Sequence, residues 1–330
     1  MEKLKIATIW LLVFLSYIYI GIAWAEPDDN TKVSYQVFYS GNDGGPNWRI
    51  LSTTIGVNKK EGERRLAIDL GPAGTLDSAH AFSQSVIREK NGYVMYYGGY
   101  DGSNWRILRA ISVDGINWMK QGVCLNLGPA GSFDSVHILY PYAIKESGLY
   151  KMYYAAFDGS HWRIGYAVSG DGVIFKNRQA VLDVGFSGAL DSDYVHTPVV
   201  IKQGSVYAMY YAGYGATPRA WRIMRATSVD GINWIKQGLA LDKGSSVEPD
   251  SNNLLCGSVT YSYGLYRLWY WAQGTHWRIL YAISKNGIDW EKKGIIIDLG
   301  PIRSLDNKGL VVPAVIEEKD TGNLQEGKTK

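Results

Sequence analysis

Five aspartates stand at one irregular spacing. Asp77, Asp134, Asp191, Asp250 and Asp306 are separated by 57, 57, 59 and 56 residues, each after a small or apolar residue. In and beside the same segments stand residues that differ from unit to unit: His80, His137, Asp193, His196, Glu248 and Arg303. Two carboxylates about 5 to 10 Å apart in unlike environments, one protonated and one ionised, cleave glycosidic bonds. Five equivalent carboxylates lack that asymmetry. The structural reading therefore weighs more: each Asp accepts backbone N–H groups in its loop or pairs with a repeated arginine. His80, His137 and His196 gather at one end, where they offer hydrogen bonds to ligand hydroxyls or ligands to a divalent cation in an axial channel; local loop hydrogen bonding is the alternative. Tyr140 and Tyr194 offer aromatic faces on which a ligand's ring stacks.

The elements that place these side chains repeat on the same interval. Trp-Arg-Ile begins at Trp48, Trp105, Trp162, Trp221 and Trp277, again 57, 57, 59 and 56 residues apart. Turn signals divide each unit into four short strands. In one unit these are 139–145, 149–154, 162–168 and a strand around 180–184. The last hairpin recurs as Asp114-Gly115, Asp230-Gly231 and Asn286-Gly287, dipeptides that supply the positive φ of tight turns. Four antiparallel strands per unit at this period are propeller blades. The expected fold is all-β, a five-bladed β-propeller with four antiparallel strands per blade. A strand at 35–39 lacks an inner strand before it, and 311–316 is an inner strand with nothing after it. The ring is expected to close by pairing the C-terminal inner strand with the N-terminal strands, which removes two exposed edges. The inner strands all run one way, so the loops before them bring Asp77, Asp134, Asp191, Asp250 and Asp306 into a ring at one end. The repeated Trp are expected to lie buried between blades.

Lys3 and Lys5 precede an apolar run from Ile6 to Ala25 that ends Ala23-Trp24-Ala25, the order of a secretory signal peptide cleaved after Ala25. An uncleaved anchor is the alternative, since the run just spans a bilayer. The expected organisation is a signal peptide at 1–25, a propeller at 26–317 and a polar tail at 318–330, in a secreted or periplasmic monomer with no membrane span after cleavage. Charges nearly balance, 34 Lys and Arg against 31 Asp and Glu, which argues against a nucleic-acid partner. No Cys-x-x-Cys, His-x-x-x-His or Gly-rich phosphate loop occurs, and no cofactor is required. Cys124 and Cys256 fall on different blades and read as buried small hydrophobes.

The order of these features, a Leu-Asp-Ser or Phe-Asp-Ser loop, a Pro near the start of an apolar strand, a Met-Tyr-Tyr strand, then Trp-Arg-Ile and Asp-Gly-Ile-Asn-Trp, resembles the five-bladed propeller superfamily of glycoside hydrolases, families 43 and 32 and relatives, over residues 33–317. The resemblance implies a glycan at the axial pocket, with Glu248 as proton donor and Asp77, Asp134 or Asp191 as base and auxiliary carboxylate. It also implies ligand contacts from His80, His137, Asp193, His196, Tyr140, Asp250, Asp306 and Arg303. The motifs that carry catalysis depart from it. Where family 43 places its base Asp before a Pro, this chain has Ser83, Tyr140, Thr197, Cys256 and Val312. The expected function is an exported carbohydrate-active propeller, hydrolase-like, acting on or binding an oligo- or polysaccharide; the alternative is a non-catalytic glycan-binding or structural envelope propeller.

Overall fold

The computed structural model describes residues 33–56 and 59–318. The expected signal peptide and the tail beyond Glu318 lie outside the described residues. The chain opens with β1 (Ser34–Asn42), β2 (Arg49–Ile55) and β3 (Arg65–Ile68). Four sets of four follow: β4 (His80–Glu89), β5 (Gly92–Tyr100), β6 (Trp105–Ser112) and β7 (Met119–Leu125); β8 (His137–Glu146), β9 (Leu149–Phe157), β10 (Trp162–Ser169) and β11 (Lys176–Leu182); β12 (Tyr194–Gln203), β13 (Val206–Gly215), β14 (Ala220–Ser228) and β15 (Ile235–Leu241); β16 (Asn253–Ser262), β17 (Leu265–Gln273), β18 (Trp277–Ser284) and β19 (Glu291–Ile297). β20 (Gly309–Glu318) ends the described chain.

Each set of four pairs antiparallel in chain order. β20 pairs antiparallel with β1, with Val315 opposite Val37, and becomes the inner strand of the sheet that β1, β2 and β3 begin. We number that sheet one and the others two to five. The inner strands β20, β4, β8, β12 and β16 pack neighbour on neighbour, and β16 returns to β20. The ring thus closes as the strand inventory requires. One parallel pair, Trp277 with Gly309, also joins sheets five and one.

Because every sheet is covered on both faces, its second strand is buried on both faces. Leu265 to Ala272 of β17 are all buried, and so are Val94 to Gly99 of β5. Tyrosines that would strand a hydroxyl there find acceptors one sheet on. Tyr96, Tyr153 and Tyr210 donate to the carbonyls of Gly172, Gly231 and Gly287 at 2.8, 2.8 and 2.6 Å. Those carbonyls sit in the last hairpin of the neighbouring sheet, whose turn is capped by serine: Ser169 Oγ, Ser228 Oγ and Ser284 Oγ accept the Gly172, Gly231 and Gly287 N–H groups. Gly172 has φ of 71°, and a Cβ there would lie 2.8 Å from Tyr96. Conformation and close approach both demand glycine. The Asp-Gly and Asn-Gly hairpins are therefore joints between sheets. Cys124 and Cys256 are free and buried.

The first half of every inner strand is bulged. Pairing slips between Phe82 and Ser85, Leu139 and Tyr142, His196 and Val199, and Cys256 and Ser258; β20 slips opposite Phe38 and Ser40. Ser83, Tyr140, Thr197 and Val312 take φ near +50° there. Bulges re-aim side chains, and these occupy the positions at which the glycosidase resemblance places a base.

A chain ending at Lys308 leaves β1 without its inner partner and exposes a sheet edge facing β4. Its expected behaviour is complete loss of the cooperative thermal transition seen by circular dichroism; a native-like transition would contradict closure through β20.

Candidate functional site

The five repeated aspartates are not at an open pocket. Each lies inside its own sheet, its side chain no more than 5% exposed. One carboxylate oxygen accepts from a tyrosine of the second strand and pairs with a cation of the fourth strand or just before it. Asp77 holds Tyr97 at 2.9 Å and Lys120 at 2.6 Å. Asp134 holds Tyr154 and Arg178, both at 3.1 Å. Asp191 holds Tyr211 at 2.8 Å and Lys236 at 2.7 Å. Asp250 holds Tyr270 at 3.4 Å and Lys292 at 2.7 Å. Asp306 holds Tyr39 at 2.8 Å and Arg64 at 2.7 Å. Burial first, then the facing carboxylate, pushes each tyrosine's pKa above its usual value, so the phenols remain donors. The loop wraps tightly around the acid: a Cβ on Gly128 would stand 2.0 Å from Asp134 Oδ1.

Asp77, Asp134 and Asp191 are thus structural staples, and the base and auxiliary roles expected of them do not fit. The same holds for Asp250 and Asp306 as ligand contacts. The expected arginine partner is also corrected. The Trp-Arg-Ile arginines pair elsewhere, Arg49 with Asp69, Arg163 with Asp183, Arg222 with Asp242 and Arg278 with Asp298. The true cations Lys120, Arg178, Lys236 and Lys292 form a further repeat, 58, 58 and 56 residues apart, which would have revealed them.

Glu248 is exposed, and its carboxylate accepts the N–H of Ser245 in its own turn. That backbone bond lowers its pKa below the usual carboxylate value. A proton donor needs the opposite shift, so Glu248 does not fit that role. Arg303 is exposed on a loop, and Asp193 pairs with Arg219. Among the described residues, no three His, Cys, Asp or Glu side chains gather to hold a metal ion.

The residues that do converge are aromatic. Trp48, Phe82, Tyr140, Trp221, Trp271 and Trp277, drawn from all five sheets, meet around Leu255, Val311 and Val312 at the end where the inner strands begin. His80 lies parallel to Trp105 at 5.3 Å, and Trp105 stacks on Tyr100 at 4.8 Å. His137 and Phe157 stack on Trp162 at 6.4 and 4.8 Å. His196 stacks on Trp221 at 4.8 Å and meets the edge of Trp162 at 4.4 Å. Tyr140 touches Phe82, His196 and Trp271, and Tyr194, 39% exposed, stacks on Trp221. The repeated Trp are half-buried, in keeping with the expectation that they pack mostly between blades, and part of each indole stays exposed. We call this end of the ring, where the inner strands begin, its mouth.

Tyr140 and His196 therefore meet directly, His80 and His137 reach them only through intervening rings such as Trp105, Phe82 and Trp162, and the carboxylates are held apart in their own sheets. Burial lowers the pKa of His80 and His137 and takes His196 from 6.5 to about 3. All three are neutral near pH 7. The other carboxylates at this end are engaged as well: Asp101 and Asp158 accept N–H groups of their own turns and pair with Arg106 and Arg163, and Asp43 accepts the Gly45 N–H.

No family model matches the chain. An uncharacterised protein of Mycobacterium tuberculosis is 27% identical over 278 residues, 78% of this chain and 91% of that one. A 1,2-β-oligomannan phosphorylase of Thermoanaerobacter sp. is 32% identical over 125 residues, 34% of this chain and 41% of that one. A family 117 glycoside hydrolase of Zobellia galactanivorans superposes with a TM-score of 0.57 at 19% identity, over 72% of this chain and 75% of that one. The fold is that of the glycoside-hydrolase propellers. Within this propeller the sheets are alike and the mouth is not. Sheets two, three and four carry aromatic triplets, His80–Tyr100–Trp105, His137–Phe157–Trp162 and Tyr194–Tyr214–Trp221, whereas sheet five has Asn253 bonded to Gln273.

Two outcomes follow for stability. Lys236→Met leaves the Asp191 charge buried with only Tyr211, and should cost about 3 to 5 kcal/mol in guanidinium unfolding. Asp191→Asn removes the charge and leaves a half-exposed lysine, and should cost about 1 to 3 kcal/mol; the reverse order contradicts the staple. His196 has a folded pKa below its unfolded one, so it contributes stability in full above about pH 6.5 and loses it as pH falls towards 3. His196→Phe, the residue sheet two has at the equivalent Phe82, should flatten that acid limb in melts compared at about pH 7 and about pH 4.5; an unchanged limb contradicts a neutral packed imidazole.

Proposed function

We propose that this propeller is an exported glycan-binding protein, monomeric and free of a required cofactor once residues 1–25 are removed. It receives an oligosaccharide at the aromatic mouth and does not cleave it through the expected carboxylates. One observation carries the reading: the repeated aspartates are locked in Tyr–cation staples while half-buried tryptophans from neighbouring sheets converge at the start of the inner strands. Stacked indole and phenol faces suit the C–H face of a sugar, and the neutral histidines beside them suit its hydroxyls. The similar proteins carry glycan activities in their names, a glycoside hydrolase and an oligomannan phosphorylase. That likeness alone favours a second reading, turnover of a glycan, and the two separate by assay.

Wild-type protein is expected to bind neutral oligosaccharides on a glycan array and to release neither reducing sugar nor sugar phosphate from them. Trp162→Ala and Trp221→Ala should each weaken binding about five- to tenfold, the equivalent of about 1 to 1.4 kcal/mol, in calorimetric titration. Glu248→Gln should leave it unchanged. Hydrolysis or phosphorolysis lost on Glu248→Gln would replace the binding reading with a catalytic one.

A further inference from the structure

Residues 80, 137, 194, 253 and 309 are equivalent by spacing, and each opens or nearly opens an inner strand. Three of them make the same bond to the preceding sheet. The Trp48 N–H donates to His80 Nδ1 and the Trp105 N–H to His137 Nδ1, both at 3.3 Å. The Trp221 N–H donates to Asn253 Oδ1 at 3.1 Å. This joint fixes histidine chemistry: a neutral imidazole that accepts at Nδ1 carries its proton at Nε2. Ring orientation is fixed too. His80 lies within 16° of Tyr100 and 9° of Trp105, and His137 within 8° of Phe157 and 18° of Trp162.

The difference from sheet five is what the second polar atom does. Asn253 spends its Nδ2–H on Gln273 Oε1 at 2.9 Å. Neither His80 Nε2 nor His137 Nε2 meets an acceptor among the described residues, and neither atom is buried. Sheet four has a phenol at this position, Tyr194, and sheet one has Gly309. Open N–H donors therefore stand on two adjacent sheets.

We infer that His80 and His137 are specificity-determining donors, each presenting a locked Nε2–H to an acceptor oxygen of an uncharged oligosaccharide that lies over the aromatic triplets of sheets two to four. This rests on the binding reading above. An uncharged ligand follows from the arginines on that arc, which are paired: Arg106 with Asp101, Arg163 with Asp158, Arg219 with Asp193 and Arg222 with Asp242. A uronate or phosphate would find no unpaired guanidinium among these. A hydroxyl or ring oxygen needs only the donor.

Asparagine is the discriminating substitution, because Asn253 already makes the sheet-to-sheet bond with its Oδ1. His80→Asn and His137→Asn should keep the wild-type melting temperature and weaken calorimetric binding of a neutral β-1,2-linked mannotriose about fivefold each, as expected for one lost hydrogen bond. Trigalacturonate should bind less tightly than the neutral trisaccharide. Long-range 1H–15N spectra of the wild type at neutral pH should show both rings protonated at Nε2 alone, and that resonance should move when mannotriose is added. Unchanged affinity in both variants, a proton at Nδ1, a resonance that does not move on saturation, or preference for trigalacturonate overturns the inference while leaving glycan binding intact. Failure of the wild type to bind any neutral glycan overturns the binding reading itself, and the inference with it.

Discussion

The structure depends on one buried triad repeated five times: an aspartate from the loop entering each sheet, a tyrosine from its second strand and a lysine or arginine at its fourth. A four-stranded sheet wedged into a ring has a crowded inner edge and an open outer one. The triad spans it, tying the segment that precedes the inner strand to the outer edge. A buried carboxylate is tolerated only with a partner, so the staple forms as a whole or not at all. It therefore determines where each inner strand begins, and with that the position of every residue at the mouth.

That division of labour explains why the repeats are so alike in one layer and so different in the next. The aspartate, the tyrosine and the close glycine recur in every sheet, because each is needed for the sheet to close on its own loop. Two layers inward, at the bulges and strand starts, the residues diverge: Ser83, Tyr140, Thr197 and Val312 share a positive φ and little chemistry. Ligand recognition on a fivefold ring must come from such differences. The aromatic arc on three sheets beside an amide pair on the fifth provides them.

The fold was legible because two markers, Trp-Arg-Ile and the aspartate, share one irregular spacing, and because the unpaired strands at the two ends of the ring could only be partnered with each other. Site chemistry was legible in part. His80, His137, His196 and Tyr140 were identified as unit-specific residues near the strand starts, and the structure places them at the mouth. The carboxylates misled for a physical reason. Their cations follow them by 43, 44, 45 and 42 residues, with Arg at one of the four places and Lys at the others, a looser pattern than the invariant Trp-Arg-Ile arginine, which pairs with a different group. Glu248 misled because its segment folds back, with its own N–H donating to the Ser245 carbonyl, and a glutamate in such a turn serves the turn. The tryptophans pack as their size signals, while the part of each indole that stays exposed leaves no trace in one sequence.

A crystal structure of the propeller with a bound neutral oligosaccharide tests the central claim most directly. The account predicts a sugar ring within about 4 Å of the Trp105, Trp162 or Trp221 indole, with Asp77, Asp134 and Asp191 still held by their tyrosines and cations and touching no part of the ligand. A sugar seated against any of those three carboxylates, with its staple opened, would contradict it.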